Sequence, residues 1–207
     1  MLPDLSGAAK EEPMKTETQP STGFDNREAA KQWSRDLQTI TGFNFHVRPA
    51  RPADQAALGS FFEQLSTDDI YFRFLSAYPR VDEWRLKALT RIDDPHTIDF
   101  LAFPIDDDRQ VLASAMLAAD EDFKMAEFAL ATRSDMKHRG ISWTLLDHVA
   151  RYASSRGLEK LHAVHCSRDY AATSLEREAG FRVRASADDP ALLIAEKILH
   201  PESAHQI

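Results

Sequence analysis

The chain has 207 residues, 43% of them hydrophobic and 28% charged, so the composition predicts one packed domain with room for an extension. Its formal net charge of −8 disfavours non-specific nucleic-acid binding, which depends on neutralising phosphates, but is compatible with a cationic partner. No apolar run is long enough to span a bilayer, the N-terminus lacks an apolar signal-peptide core, and the single cysteine, Cys166, cannot form an internal disulfide. We therefore expect a cytoplasmic protein without membrane attachment.

The first 44 residues divide into two predicted parts. Residues 1–24 are rich in proline, serine, threonine, glutamate and lysine, and this pattern predicts a disordered tail. Residues 25–44 are predicted to form a helical extension, because Asp25 and Glu28 have capping-box spacing and Gly42 can end the helix. The apolar residues at helical spacing are Ala29, Trp33, Leu37 and Ile40. We expect this helix to pack on its own domain, with a partner or second subunit as the alternative.

Residues 45–199 carry the remaining predicted elements, and residues 200–207 are predicted to be a C-terminal tail. In chain order these elements are a strand at 45–48, helices at 53–65, after Ser66 and at 81–91, strands at 97–104, 110–119 and 128–132, a helix at 143–156, a strand at 158–166, a helix at 170–179, and strands at 181–185 and 192–198. This order predicts an α/β fold with a mixed sheet and helices on both faces.

The segment 126–156 predicts a strand, a basic turn and an amphipathic helix in direct succession. The turn reads Lys137-His138-Arg139-Gly140-Ile141-Ser142. The first N–H groups of a helix have no intrahelical partner, and the helix dipole is positive at that end. The turn is therefore a candidate anion-binding site.

Three motifs in this order resemble the Gcn5-related N-acetyltransferase (GNAT) family. The acyl-CoA loop of that family reads Arg/Gln-x-x-Gly-x-Gly/Ala, and residues 137–142 occupy it with Lys137 and Ser142 at the two ends. Lys137 keeps a positive charge but lacks the planar fork of arginine, and Ser142 adds a hydroxyl where close approach requires a small residue. The helix that ends at 156–158 and the run 175–181 are the other two motifs.

Within this family, segments 48–54, 71–75 and 126–128 look most similar to the catalytic domain of the bacterial protein-lysine acetyltransferases. The resemblance covers residues 45–199 and implies the GNAT fold, a twisted mixed sheet with helices on both faces. It also implies acetyl-CoA as co-substrate and an amine as acceptor.

The resemblance further implies a set of contacts with acetyl-CoA. The N–H groups of residues 139–142 would hold the pyrophosphate, and a strand N–H near Leu130 would polarise the thioester carbonyl. Asp169 stands where the family often has an asparagine that contacts the pantetheine arm, and an ionised carboxylate there can accept but not donate a hydrogen bond. The implied cofactor-binding residues are Leu130, Ala131, Thr132, Lys137, His138, Arg139, Gly140, Ile141, Ser142 and Asp169.

Glu127 is the candidate general base. An amine acceptor is normally protonated, with a pKa of about 10.4 for lysine, so a base must remove its proton. Strand alternation places Glu127 on the face opposite to Phe128 and Leu130, and an unpaired carboxylate in an apolar strand is unusual, although the pattern alone equally fits a solvent-facing residue. The resemblance places the water-activating glutamate of the family here and favours the catalytic role. Glu176 stands where many members carry a tyrosine that protonates the leaving thiolate, so no general acid is predicted.

Other polar residues fail as catalytic or metal-binding groups. His165 and Cys166 are adjacent on a predicted strand, so their side chains face opposite ways, and the same holds for His162 and His165; no metal site is predicted. His148 is predicted on a solvated helix edge, and Arg73 at the surface or in a structural ion pair.

Three functions agree with these features. We favour an acetyl-CoA-dependent N-acetyltransferase that acts on a primary amine, with a protein lysine as the expected acceptor. The alternative is a non-catalytic regulatory module that binds acyl-CoA, which the altered loop and the missing tyrosine suggest. The third is an interaction protein that has lost the ligand and binds a partner through the helix around Trp33.

Overall fold

The computed structural model describes residues 23–75 and 81–199, so the predicted tails at 1–22 and 200–207 lie outside the described residues. The elements are α1 (Asn26–Gln32), β1 (Arg35–Gln38), β2 (Asn44–Pro49), a 3-10 turn (Pro52–Asp54), α2 (Gln55–Glu63), α3 (Thr67–Phe74), α4 (Glu83–Leu89), β3 (Thr97–Phe103), β4 (Ala113–Ala119), β5 (Met125–Thr132), a second 3-10 turn (Ser134–Met136), α5 (Ile141–Ser155), β6 (Lys160–Cys166), α6 (Tyr170–Glu178), β7 (Arg182–Ala185) and β8 (Leu192–Ile198).

The strands form one eight-stranded sheet in the order β1-β2-β3-β4-β5-β6-β8-β7. Every neighbouring pair is antiparallel except β5 and β6, which are parallel. The parallel pairing joins only Met125–Glu127 to Lys160–His162, although β5 continues to Thr132 and β6 to Cys166. The two strands therefore part after Glu127, and the sheet opens between them.

Helices cover both faces of this sheet, so the predicted α/β class is confirmed. Alternation along β3 shows the two faces, because Phe100 and Ala102 belong to one buried cluster and Leu101 and Phe103 to the other. The first cluster includes residues of α1 and α5, and the second includes residues of α2, α3 and α4. Within the described residues, no helix combines the length and apolarity needed to cross a membrane.

The N-terminal extension differs from its prediction. The helix α1 ends at Gln32, and β1 pairs with β2, so the prediction of one helix reaching Ile40 is wrong. The spacing of Trp33 and Leu37 suits a helix face, but both residues instead pack on the core around a chain reversal, and Ile40 is 98% exposed. Pairing with β2 satisfies the backbone groups of β1 and lets Trp33 and Leu37 pack on the core.

The predicted tail at residues 1–24 also extends two residues too far, because Gly23 and Phe24 both contact the domain. Phe24 is buried, and its ring lies 4.9 Å from the ring of Phe123 and 5.6 Å from that of Tyr152. Gly23 accepts a hydrogen bond of 2.6 Å from Arg156 through its carbonyl oxygen. These contacts fix the chain to the domain just before α1.

His148 is buried in the core and not on a solvated helix edge, so that prediction is wrong. Its ring lies 5.4 Å from the ring of Trp33 and 5.2 Å from that of Phe100. Burial lowers the pKa of His148 to about 4, because the charged imidazolium is poorly solvated there. The sequence pattern of α5 could not show this burial, since Trp33 arrives from a distant part of the chain.

Candidate active site

A cavity of about 310 Å³ opens where β5 and β6 part. Its walls come from the second half of β5, the end of β6, the helices α3 and α6, and the loop before α5. The charged and titratable residues among its lining are Asp69, Arg73, Glu127, Lys137, His138, His165, Asp169 and Glu176. The sheet opening thus brings together residues that are far apart in the sequence.

Backbone groups of β5 face the opening on the side of β6. Met125 accepts a hydrogen bond from Asp120, and Arg133 donates one to Leu112, so the odd-numbered residues of β5 direct their backbone groups towards β4. The N–H group of Leu130 then points towards β6, beyond the last paired residues of the two strands, Glu127 and His162. The Leu130 N–H is therefore available to a carbonyl oxygen in the cavity.

Glu127 lies on the cavity wall and is the last residue of β5 that pairs with β6. Its side chain is 51% exposed, and its Oε2 atom lies 3.9 Å from Nε2 of His162 on the neighbouring strand. Glu127 has the same strand parity as Ala131, which packs with the cluster of α2, α3 and α4. The carboxylate thus faces the α3 side of the cavity, where Phe72, Phe74 and Leu75 also lie.

Arg73 lies inside this wall, so of its two predicted places the surface is wrong, and a structural ion pair stays a prediction. The residue is 8% exposed, its guanidinium carbon lies 4.9 Å from the centre of the Phe74 ring, and its Nε and Nη2 atoms have no hydrogen-bond partner. Burial lowers the pKa of Arg73, while the charges of Asp99 and Glu127 oppose that shift. Its position between Phe72 and Phe74 in the sequence was the one signal that this charge is buried.

Asp99 is the buried acidic neighbour of Arg73. Burial raises the pKa of Asp99 to about 7, and both the Arg73 charge and the Ser114 hydroxyl, 3.0 Å away, oppose that rise. Asp99 is not recognisable as a buried acid from the sequence, because nothing local distinguishes it from an exposed strand residue. The pair places ionisable groups directly behind the Glu127 wall.

The loop before α5 has the backbone form of an anion-binding turn. His138 and Gly140 have φ angles of 63° and 80°, and Gly140 is the N-cap of α5 without a side-chain hydrogen bond to the helix. The first intrahelical bond runs from the N–H of Thr144 to the carbonyl of Gly140. The N–H groups of Ile141 and Ser142 therefore remain directed at the loop, where they can hold a phosphate.

Side chains of the loop contact the protein itself. Nζ of Lys137 lies 2.6 Å from Oδ1 of Asp69 on α3, and the hydroxyl of Ser142 lies 2.8 Å from that of Thr132 at the end of β5. Ser142 stands where the family motif has glycine or alanine, and its hydroxyl joins the end of β5 to the start of α5. The Ile141 side chain is buried in the core, so this residue could contribute only its backbone to a ligand.

The structure brings most of the predicted cofactor-binding residues to one cavity. Those on its wall are Leu130, Ala131, Thr132, Lys137, His138, Ser142 and Asp169. The other three, Arg139, Gly140 and Ile141, are not among its lining residues. Asp169 also caps α6, since its Oδ1 accepts a hydrogen bond of 2.9 Å from the N–H of Ala172.

Glu176 and His165 form a second polar pair on the cavity wall, which sequence analysis did not bring together. Both are buried, and Oε1 of Glu176 lies 3.3 Å from Nδ1 of His165. This pairing depends on α6 packing against β6, so no local pattern could reveal it. Among the described residues, no group of three histidine, cysteine or acidic side chains is arranged to hold a metal ion.

Comparison with known proteins gives three consistent likenesses. The sequence model described as the Acetyltransferase (GNAT) family matches residues 61–181. The chain is 26% identical to an acetyltransferase of Pseudomonas aeruginosa over 150 residues, which cover 72% of this chain and 80% of that protein. Its structure is similar to the GNAT domain of S. lividans PAT, with a TM-score of 0.73 and 23% identity over 81% of this chain and 97% of that one.

A solved structure with ligands shares the same fold. This is the spermidine N-acetyltransferase from Vibrio cholerae in complex with CoA and spermine, with a TM-score of 0.60 and 15% identity, over 75% of this chain and 95% of that one. At such identities the structural likeness indicates a shared fold and leaves the acceptor of this chain undetermined.

Proposed function

The chain belongs to the GNAT family of acetyltransferases, and we propose that the amine it acetylates is the side chain of a protein lysine. Family membership gives the coarser activity, which is the transfer of an acetyl group from acetyl-CoA to an amine. The finer proposal concerns the acceptor, the residues that bind each substrate, and a cytoplasmic setting, which the single free cysteine, Cys166, supports.

The donor side of the cavity suits acetyl-CoA. This co-substrate supplies the acetyl group as a thioester and carries a pyrophosphate that needs hydrogen-bond donors. The N–H groups at the start of α5, together with the charge of Lys137, provide donors at residues 137–142. The N–H of Leu130 at the sheet opening provides a donor for the thioester carbonyl, on which negative charge develops during transfer.

The acceptor side offers one accessible carboxylate, and this observation carries the proposal. Of the four carboxylates on the wall of the described cavity, Asp69 pairs with Lys137, Asp169 caps α6 and Glu176 lies against His165. Glu127 has no partner closer than His162 at 3.9 Å. One free carboxylate suits an acceptor with one positive charge, whereas a polyamine would leave further charges uncompensated.

The surroundings of Glu127 match the shape of a lysine side chain. Phe72, Phe74 and Leu75 give the α3 side of the cavity an apolar wall, and lysine has an apolar stem with its charge at the tip. Because the Glu127 side chain is 51% exposed, a lysine on the surface of another protein can reach it. Glu127 then removes a proton from the ammonium group, directly or through one water, and the free amine attacks the thioester carbonyl.

The experiment compares acceptors under identical conditions by measuring thiol release and acetylated product with mass spectrometry. The acceptors are a peptide with one lysine and a blocked N-terminus, the same peptide with a free N-terminus and a blocked lysine, and spermidine. We expect the lysine peptide to have the largest kcat/KM, by roughly tenfold or more. Preference for spermidine or the free N-terminus would refute the lysine proposal. Acetyl-CoA binding without turnover would instead support the regulatory module.

A further inference from the structure

Two carboxyl groups of the cavity, Glu127 and Glu176, have opposite surroundings. Glu127 is half-exposed on β5, whereas Glu176 is 2% exposed on α6, which packs against the other strand of the opening. Environments that separate two carboxyl groups in one site commonly assign one to be the base and the other to be the acid. We propose that Glu176 is protonated in the resting enzyme and gives its proton to the thiol sulfur as the acetyl group leaves.

The hydrogen bonds around His165 support a protonated Glu176. The Thr173 hydroxyl has one hydrogen, which it donates to the carbonyl of Asp169 at 3.0 Å, so Nε2 of His165 is the donor in its 3.2 Å contact with Thr173. Nδ1 of a neutral His165 is then an acceptor, and it faces Oε1 of Glu176 at 3.3 Å, although the two atoms are not aligned for a full hydrogen bond. If Glu176 is protonated, its carboxyl group and the imidazole of His165 are both neutral.

The second oxygen of Glu176 has no partner. Its Oε2 atom is buried and makes no hydrogen bond, although the residue lines the cavity. An ionised carboxylate with one oxygen unsolvated and unpaired is costly, whereas a carboxylic acid there carries no charge. Burial raises the pKa of Glu176, which is the direction that favours the acid form, and the Asp169 carboxylate adds to the rise, while His165 opposes it.

Other charged groups on the cavity wall lie on elements around Glu176 and bear on its proton. Asp69 and Lys137 pair with each other across the cavity, and Arg73 carries its charge behind the Glu127 wall. The titratable groups of the wall, apart from Glu176 itself, are Asp69, Arg73, Glu127, Lys137, His138, His165 and Asp169. Because Arg73 interacts with Glu127 and Asp99, its charge acts chiefly on the side of the cavity formed by α3 and β5.

The transfer balances with these two carboxyl groups. Glu127 removes one proton from the ammonium group and passes it to water, and the free amine forms the C–N bond. Glu127 then takes the second proton that the nitrogen must lose, while the carbonyl oxygen accepts a hydrogen bond from the N–H of Leu130. As the C–S bond breaks, its electron pair goes to sulfur, which takes the proton of Glu176. The ammonium group thus loses two protons, of which one is released to water and the other is matched by the proton that the thiol gains. Afterwards Glu127 loses its proton to water and Glu176 regains one. This step rests on the acetyl transfer proposed above, with any amine as acceptor.

The first test is Glu176→Gln, which keeps the size of the side chain but has no acidic proton. We expect kcat to fall by roughly 100-fold or more, within the usual range for general acid catalysis, with an unchanged Kd for acetyl-CoA. The fall of kcat at alkaline pH that ionisation of Glu176 causes in the wild type should be absent in the variant. Glu178→Gln, an exposed residue on the same helix, is the matched control and should behave as the wild type.

The second test uses the protein alone and requires neither turnover nor bound acetyl-CoA. Infrared difference spectra of the wild type between neutral and alkaline pH should contain a carboxylic acid C=O band that is missing in Glu176→Gln. An ionised Glu176 at neutral pH would overturn the proposal even if the variant were inactive. If Glu176→Gln is folded and fully active while Glu127→Gln is not, Glu176 is not the acid but the proposed function stands. A wild type inactive with every amine would overturn both.

Discussion

The hydroxyl of Thr41 donates a hydrogen bond of 2.7 Å to the carbonyl oxygen of Arg139, 98 residues further along the chain. This bond joins the turn between β1 and β2 to the loop before α5. The guanidinium carbon of Arg139 also lies 5.3 Å from the centre of the Phe43 ring in the same turn. The N-terminal extension therefore supports the backbone that we propose to hold the pyrophosphate of acetyl-CoA.

Thr41→Val should weaken acetyl-CoA binding while leaving the fold intact. Valine keeps the branched shape and loses the hydrogen bond, which is worth about 0.5–1.5 kcal/mol and hence roughly a two- to tenfold change in Kd. Titration calorimetry with acetyl-CoA measures this change. Thr97→Val, at the end of the sheet away from the loop, is the matched control and should bind normally. Equal affinities for wild type and Thr41→Val would show that the turn does not support the loop.

Gly140→Asp should reduce acetyl-CoA affinity by roughly tenfold or more. Gly140 has a φ of 80°, which strains any other residue, and a Cβ there would lie 3.1 Å from Cβ of Thr39, so Thr39 must yield slightly. The added carboxylate also repels the pyrophosphate. Gly157→Asp is a close control, because its φ is 87° but nothing lies within 4 Å of its Cβ. We expect both variants to lose stability and only Gly140→Asp to lose affinity; equal affinities would place the pyrophosphate elsewhere.

His148 should make the protein less stable in acid. The folded protein holds His148 neutral down to a pKa of about 4, whereas the unfolded chain takes up its proton near 6.5. Protons therefore favour the unfolded chain, and stability is lost as the pH falls from about 6.5 to 4. At about 1.4 kcal/mol for each pKa unit, the free energy of unfolding falls by at most about 3 kcal/mol.

His148→Phe keeps an aromatic ring between Trp33 and Phe100 and should remove this part of the acid sensitivity. Urea unfolding at several pH values measures the difference between the two proteins. His138→Asn changes an exposed histidine at a positive φ, which asparagine tolerates, and should keep the wild-type slope. The same pH dependence in wild type and His148→Phe would mean that His148 is solvated.

Periodicity predicted most of the fold, because β2 to β8 and α2 to α6 have apolar patterns that local geometry dictates. It failed at residues 33–40, where the spacing fits a helix face but pairing with β2 decides the conformation. The loop at residues 137–142 was recognisable because its chemistry is contiguous in the sequence.

Contacts between distant segments could not be predicted. Arg73 is buried because α3 lies over the sheet, and His148 because Trp33 covers α5. Glu176 meets His165 only when α6 lies on β6. Each of these contacts depends on which element covers a polar residue. Local sequence patterns do not show this, because it is decided by the packing of the complete fold.

The central claim is that Glu127 is the base that accepts the amine's proton, and Glu127→Gln tests it most directly. A pH–rate profile with the blocked lysine peptide, combined with acetyl-CoA titration, should be measured for wild type, Glu127→Gln and the exposed control Glu121→Gln. We predict that turnover of Glu127→Gln falls by ~100- to 10,000-fold near neutral pH and rises with pH as free amine becomes available, while acetyl-CoA affinity is unchanged. Wild-type turnover of Glu127→Gln at neutral pH would contradict the account.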